Sequence, residues 1–124
     1  MGPLAGVRII EIAGLGAAPY GCMMLADMGA EIVRIERPGG AQGTTRSPLL
    51  RNRRTLVLDL KSPQAVEIVL AMCEKADALI EAFRPGVAER LGIGPEQCFA
   101  RNPKLVYAAL LANCAVEPAP SPDP

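Results

Sequence analysis

Apolar residues recur along this chain in two rhythms. Short runs rich in β-branched residues read as strands: VRIIEI over Val7–Ile12, EIVRIE over Glu31–Glu36, TLVLDL over Thr55–Leu60, Ala78–Ile80 and Leu105–Leu111. In the second of these the apolar positions are Ile32, Val33 and Ile35, and the polar ones Glu31, Arg34 and Glu36. Helical stretches lie between the strands. Gly14, Gly16 and Pro19 end the first strand, and Pro19 suits the first turn of a helix that reaches Met28, with Gly29 in the capping position. Ser62-Pro63 predicts a helix start, with Ser62 as N-cap, and the helix runs to about Lys75 with Ala65, Val66, Val69, Leu70 and Cys73 on one face. Pro85-Gly86 opens a short helix that ends at Gly92, and Gly94-Pro95 opens another through about Ala100. Residues 37–54 carry several glycines and prolines without periodicity and read as a long loop. The order β-α-β-loop-β-α-β-α-α-β predicts an α/β fold, a Rossmann-like, mostly parallel sheet with helices on both faces.

Composition narrows what such a fold could do. At 124 residues the chain fits one domain or a piece of a larger one. Thirteen basic and thirteen acidic residues exclude a strongly basic nucleic-acid binder. The absence of histidine excludes a histidine base, a histidine metal ligand or a Ser-His-Asp triad within these residues. Cys22, Cys73, Cys98 and Cys114 show no CxxC spacing, so a zinc site is not expected; Cys22 and Cys73 fall in apolar helical patterns and read as small hydrophobes. No apolar run approaches the roughly 20 residues of a membrane span. With no signal peptide recognisable, a cytoplasmic protein with reduced thiols is expected. Glu117–Pro124 holds four prolines in eight residues and suits neither helix nor central strand. The expected organisation is an α/β domain over residues 1–112 and a proline-rich, disordered tail over 113–124.

Four features could carry chemistry. Gly14 and Gly16 after a strand, with Glu36 ending the next, form an incomplete dinucleotide fingerprint, because Pro19 stands where the third glycine belongs; a tight strand-to-helix turn explains the same residues. From Arg37 to Arg54 there are five arginines (Arg37, Arg46, Arg51, Arg53, Arg54) and no acid, with Lys61 shortly after. Guanidinium forks suit phosphate oxygens, which favours an anionic ligand over a merely solvated loop. Leu58-Asp59-Leu60-Lys61 puts a carboxylate and an ammonium at a strand–helix junction, where Asp59 could simply orient the turn. Glu81-Ala82-Phe83-Arg84-Pro85-Gly86 puts an aromatic and an arginine in a turn after a strand, with core packing the ordinary role for the Phe.

Taken in order, GPLAGVRIIEIAGLGAAPYGCMMLADMGAEIVRIERPGG, LLRNRRTLVLDLKSPQAVEIVL, KADALIEAFRPGVAERLGIGPEQC and ARNPKLVYA resemble the N-terminal region of class III CoA-transferases over about residues 2–109. The RNRR stretch draws the resemblance toward the alpha-methylacyl-CoA racemase branch. The resemblance implies the N-terminal part of that family's fold and a surface for the CoA moiety of an acyl-CoA substrate, with no tightly bound cofactor. It places Arg37 at the adenine or phosphate end, Leu58, Asp59, Leu60 and Lys61 along the nucleotide, and Ala82, Phe83, Arg84 and Arg90 completing the site; Arg51, Arg53 and Arg54 are further phosphate candidates. Ala82 stands where some members carry Asn or Gly.

The family's subunits are about three times this length and form interlocked homodimers. In the racemase branch the strand around Val106–Ala108 leads to a catalytic His and later Asp; in the transferases a nucleophilic Asp lies beyond the same point. Neither segment is present, so the resemblance implies a truncated, catalytically silent chain. It also implies a cut sheet prone to aggregate or to need a partner. Three functional readings follow: a CoA-binding part of a racemase-like protein that epimerises 2-methylacyl-CoA thioesters by alpha-proton transfer, the same part of an acyl-CoA:carboxylate CoA-transferase, or a non-catalytic nucleotide-binding or interaction remnant. An NAD-binding domain rests only on Gly14, Gly16 and Glu36.

Overall fold

The structure, a computed structural model, describes residues 2–14, 17–39 and 48–110. Among the described residues five strands and four helices follow one another: β1 (Arg8–Ile12), α1 (Ala17–Asp27), β2 (Glu31–Glu36), β3 (Arg53–Val57), α2 (Pro63–Cys73), β4 (Ala78–Glu81), α3 (Val87–Leu91), α4 (Pro95–Arg101) and β5 (Val106–Ala109). A 3-10 turn, Pro48–Leu50, precedes β3. The sheet order is β3-β2-β1-β4-β5, and every pairing among these strands is parallel. The chain steps outward from β1 to β2 and β3, then returns to the other side of β1 as β4 and β5. That reversal creates a switch point between β1 and β4, where open α/β sheets hold ligands beyond the strand C-termini.

Because successive side chains of a strand face opposite sides, the sheet builds two cores. Ile9 and Ile32 meet Ala18, Cys22 and Ala26 of α1 on one face. Ile10, Ile12, Ile35 and Leu79 meet Val69 and Cys73 of α2, Ile93 and Cys98 on the other. The buried face of α2 matches its apolar pattern, with Val66 half-buried at its margin. Cys22, Cys73 and Cys98 are buried free thiols, the packing role expected of the first two. Burial lifts the Cys22 thiol to about 12. Gly29 terminates α1 at φ 102°, a conformation that favours glycine. From there the Gly29 and Ala30 N–H groups turn back to the Ala26 and Leu25 carbonyls.

Two local expectations need correction. Ser62 occupies the N-cap position of α2 with extended backbone, but its side chain makes no capping bond; its carbonyl accepts from Val66 N–H, and Pro63 opens the helix. Strand β3 begins at Arg53 and ends at Val57, so Leu58, Asp59 and Leu60 lie beyond it. The strand starts early because Arg53 and Arg54 pair with Ile32 and Val33 of β2, extending the ladder into what the sequence marks as loop. Residues 113–124 and Cys114 lie outside the described residues. No helix among the described residues is long and apolar enough to cross a membrane.

Candidate functional site

Parallel strands send their C-termini to one edge, so the segments following them are neighbours by construction. Gly14 follows β1, Arg37 follows β2, Leu58–Lys61 follow β3 and Ala82–Arg84 follow β4. At the switch point the approach is close: a Cβ built on Gly14 would lie 3.6 Å from the Ala82 Cβ. Leu58 is tied to the end of β2 by its N–H, which donates to the Glu36 carbonyl at 2.9 Å beside Arg37. Leu58, Leu60 and Phe83 turn their apolar parts onto the core. Arg37, Asp59, Lys61, Arg84 and Arg90 are exposed. The edge therefore offers apolar backing with four cations and one carboxylate at its surface, a pattern suited to an anionic ligand with a flat apolar part.

The individual residues differ in freedom. The side chains of Arg37, Lys61 and Arg84 make no hydrogen bond or ion pair among the described residues. Asp59 closes its own turn, its Oδ1 accepting the Lys61 N–H at 3.1 Å and its carbonyl the Ser62 N–H at 2.9 Å. Arg90, one turn into α3, donates from Nε to the Gly86 carbonyl at 3.2 Å.

The arginine-rich stretch does not act as one field. Arg46 lies outside the described residues. Arg51 is ion-paired with Asp27 at the end of α1, and Asn52 joins the same carboxylate. Arg53 is enclosed, with a side chain 0% exposed. It is withdrawn as a phosphate contact because Glu11 of β1 claims it, its Nε lying 3.0 Å from Glu11 Oε1. That approach is a charge contact without hydrogen-bond alignment, and Nη1 donates to the Pro19 carbonyl at 3.1 Å. Arg54 remains exposed.

Glu11 is the centre of a buried network that pattern reading misses. Arg34 Nη1 donates to Glu11 Oε2 at 2.7 Å, and Arg34 Nε to Glu36 Oε2 at 3.1 Å. Burial pushes the Glu11 carboxyl up, and Arg53 and Arg34 draw it back. Burial pulls the Arg53 guanidinium down, opposed by Glu11. The sequence signal was present: Glu11 and Arg34 stand inside two strand patterns that are otherwise mostly apolar. With Glu36 held by Arg34, the ribose-binding role that an NAD reading assigns to it is already filled by an internal partner.

Glu81 is the other buried carboxylate at this edge, 5% exposed at the end of β4. Its Oε2 accepts the Phe83 N–H at 2.8 Å. Burial raises its carboxyl, the Phe83 bond lowers it, and the Glu89 charge on α3 raises it further. Tyr107 of β5 faces the same region, its hydroxyl driven up by burial and by Glu81. A carboxyl raised in the folded state binds its proton more tightly there than in the unfolded chain. Its contribution is then most favourable below the ordinary 4.5 and declines as pH rises through the raised value. Glu81→Gln is accordingly expected to raise the Tm at pH 7 by a few degrees and to flatten its dependence above pH 4.5. Thermal melts across that range check this, and an unchanged profile with no gain at neutral pH contradicts it.

An open parallel five-stranded sheet with helices packed against it defines a protein of the α/β class. The family model for CoA-transferase family III matches residues 4–112, and the chain belongs to that family. It is 50% identical to the alpha-methylacyl-CoA racemase of Mus musculus over 107 residues, 86% of this chain and 27% of that protein. It is 37% identical to the acetyl-CoA:oxalate CoA-transferase of Acetobacter aceti over 120 residues, 87% of this chain and 31% of that one. The crystal structure of Rv3272 from Mycobacterium tuberculosis superposes with a TM-score of 0.82 at 38% identity, covering 88% of this chain and 32% of that one. The chain thus spans about a third or less of the relatives it matches.

Proposed function

We propose that this chain is the CoA-binding N-terminal part of an alpha-methylacyl-CoA racemase-like protein. The full-length protein would epimerise 2-methylacyl-CoA thioesters by removing and returning the alpha proton, as a homodimer. The observation that carries this reading is the shared edge, where Arg37, Leu58–Lys61, Ala82–Arg84 and Arg90 flank the switch point between β1 and β4. Exposed Arg37, Lys61, Arg84 and Arg90 suit the phosphates of CoA, and Phe83, Leu58 and Leu60 suit apolar contact. The racemase relative favours this over the second reading, an acyl-CoA:carboxylate CoA-transferase, which the Acetobacter relative supports. Both readings share the CoA surface and differ in the reacting group, two proton carriers in one case and a carboxylate nucleophile in the other.

With no histidine in its 124 residues, the chain alone is expected to bind CoA and not to racemise. Calorimetry with CoA tests the binding, and Arg37→Ala is expected to weaken it about tenfold or more through loss of a charged phosphate contact. A folded chain that does not bind CoA, or racemase turnover by the chain alone, contradicts the reading.

A further inference from the structure

Three carboxylates are buried near the C-terminal edge of the sheet, and two of them have cations. Glu11 has Arg34 and Arg53, and Glu36 has Arg34. Glu81 has no cationic partner among the described residues; what it holds is the Phe83 N–H. A buried carboxylate without a countercharge is a costly way to satisfy one amide, so its place in the fold calls for a reason.

The place is the exit of β4 at the switch point. The Glu81 carbonyl accepts the Leu110 N–H at 2.8 Å, the last rung toward β5. Past that rung the backbone leaves the sheet, and Phe83 N–H has no strand partner. Downstream the turn is fixed again only at Arg84, whose carbonyl accepts the Val87 N–H, and at Gly86, whose carbonyl accepts Arg90. Between these two anchor points the Glu81 carboxylate is the side chain that fixes the backbone carrying Phe83 and Arg84. We infer that Glu81 is a positioning residue of the nucleotide site: its Oε2 holds the Phe83 N–H and so sets the Ala82–Gly86 turn that presents Phe83 and Arg84 to the ligand. The inference rests on the CoA reading above.

Two variants and two readouts test it. In Glu81→Gln the amide oxygen can accept the same hydrogen bond; in Glu81→Ala nothing can. Calorimetry of the whole chain with CoA is expected to show Glu81→Ala weakened about tenfold and Glu81→Gln within about threefold of the unmodified chain. Amide exchange at Phe83 is expected to accelerate about tenfold or more in Glu81→Ala, with protection restored in Glu81→Gln. Equal CoA affinity in Glu81→Ala and the unmodified chain would overturn the positioning role and leave the CoA reading standing. The same holds if Glu81→Gln is as impaired as Glu81→Ala in both readouts. An unmodified folded chain that ignores CoA would overturn the CoA reading, and with it the role at that site. Phe83 exchange, measured without ligand, then reports separately on whether Glu81 fixes the turn. Where Glu81→Ala fails to fold, Glu81→Met, which fills similar space without an oxygen acceptor, takes its place in both readouts, and its matching the unmodified chain overturns the role.

Discussion

Replacing Arg34 with Met is expected to cost about 3–5 kcal/mol of folding free energy, the scale for removing one partner of a buried ion pair. Arg34 touches two buried carboxylates at once, Glu11 at 2.7 Å and Glu36 at 3.1 Å. After the substitution Glu11 keeps only Arg53, and Glu36 keeps no cation among the described residues. Neither carboxylate can turn to water, since Glu11 is fully buried and Glu36 nearly so. A typical domain has about 5–15 kcal/mol in total, so the variant should be largely unfolded or close to it. Urea unfolding measures this. A loss below about 1 kcal/mol, the level of an exposed pair, would mean the network is solvated in solution.

Leu79→Ala is expected to cost a similar amount for a different reason. Leu79 is fully buried at the middle of β4, among Ile10, Ile12, Ile35, Val69, Cys73 and Ile93. Its neighbours come from strands on one side and helices on the other, so the cavity cannot collapse cheaply. Large-to-small changes at such sites cost about 3–5 kcal/mol. Denaturant titration beside the more exposed Ile68→Ala on α2 gives the contrast, because Ile68 is 45% exposed and has little burial to lose. Equal losses at the two positions would contradict the placement of Leu79 at the core.

Much of this architecture was legible because it follows local rules. β2 falls where EIVRIE predicts it, and Gly29, Pro63 and Gly92 mark helix ends as glycine and proline should. What pattern reading could not see is which arginines are already spent. Arg51 and Arg53 sit in an acid-free stretch of sequence, yet their carboxylates arrive from Asp27 and Glu11, brought there by the sheet. The same long-range pairing explains the early start of β3, since nothing local marks Arg53 as a strand residue. Of the candidate site, the segments were legible from their place after strands, and their common edge follows from parallel pairing. Glu81 was visible only as part of its turn and without a role, because a carboxylate that serves a neighbouring amide leaves no periodic trace.

The Glu11–Arg34 pair has a consequence for how the sheet can assemble. Glu11 lies directly opposite Arg34, and Ile10 and Ile12 lie opposite Val33 and Ile35. Sliding β2 by one residue would carry Arg34 to the opposite face and set it among the α2-side aliphatics, with Glu11 abandoned against α1. Were these two strands purely aliphatic, with both faces buried, a slipped alignment would strand no charge. One matched charge pair makes the correct alignment the only one in which no ion is stranded, so the network acts as a proofreading device for strand register.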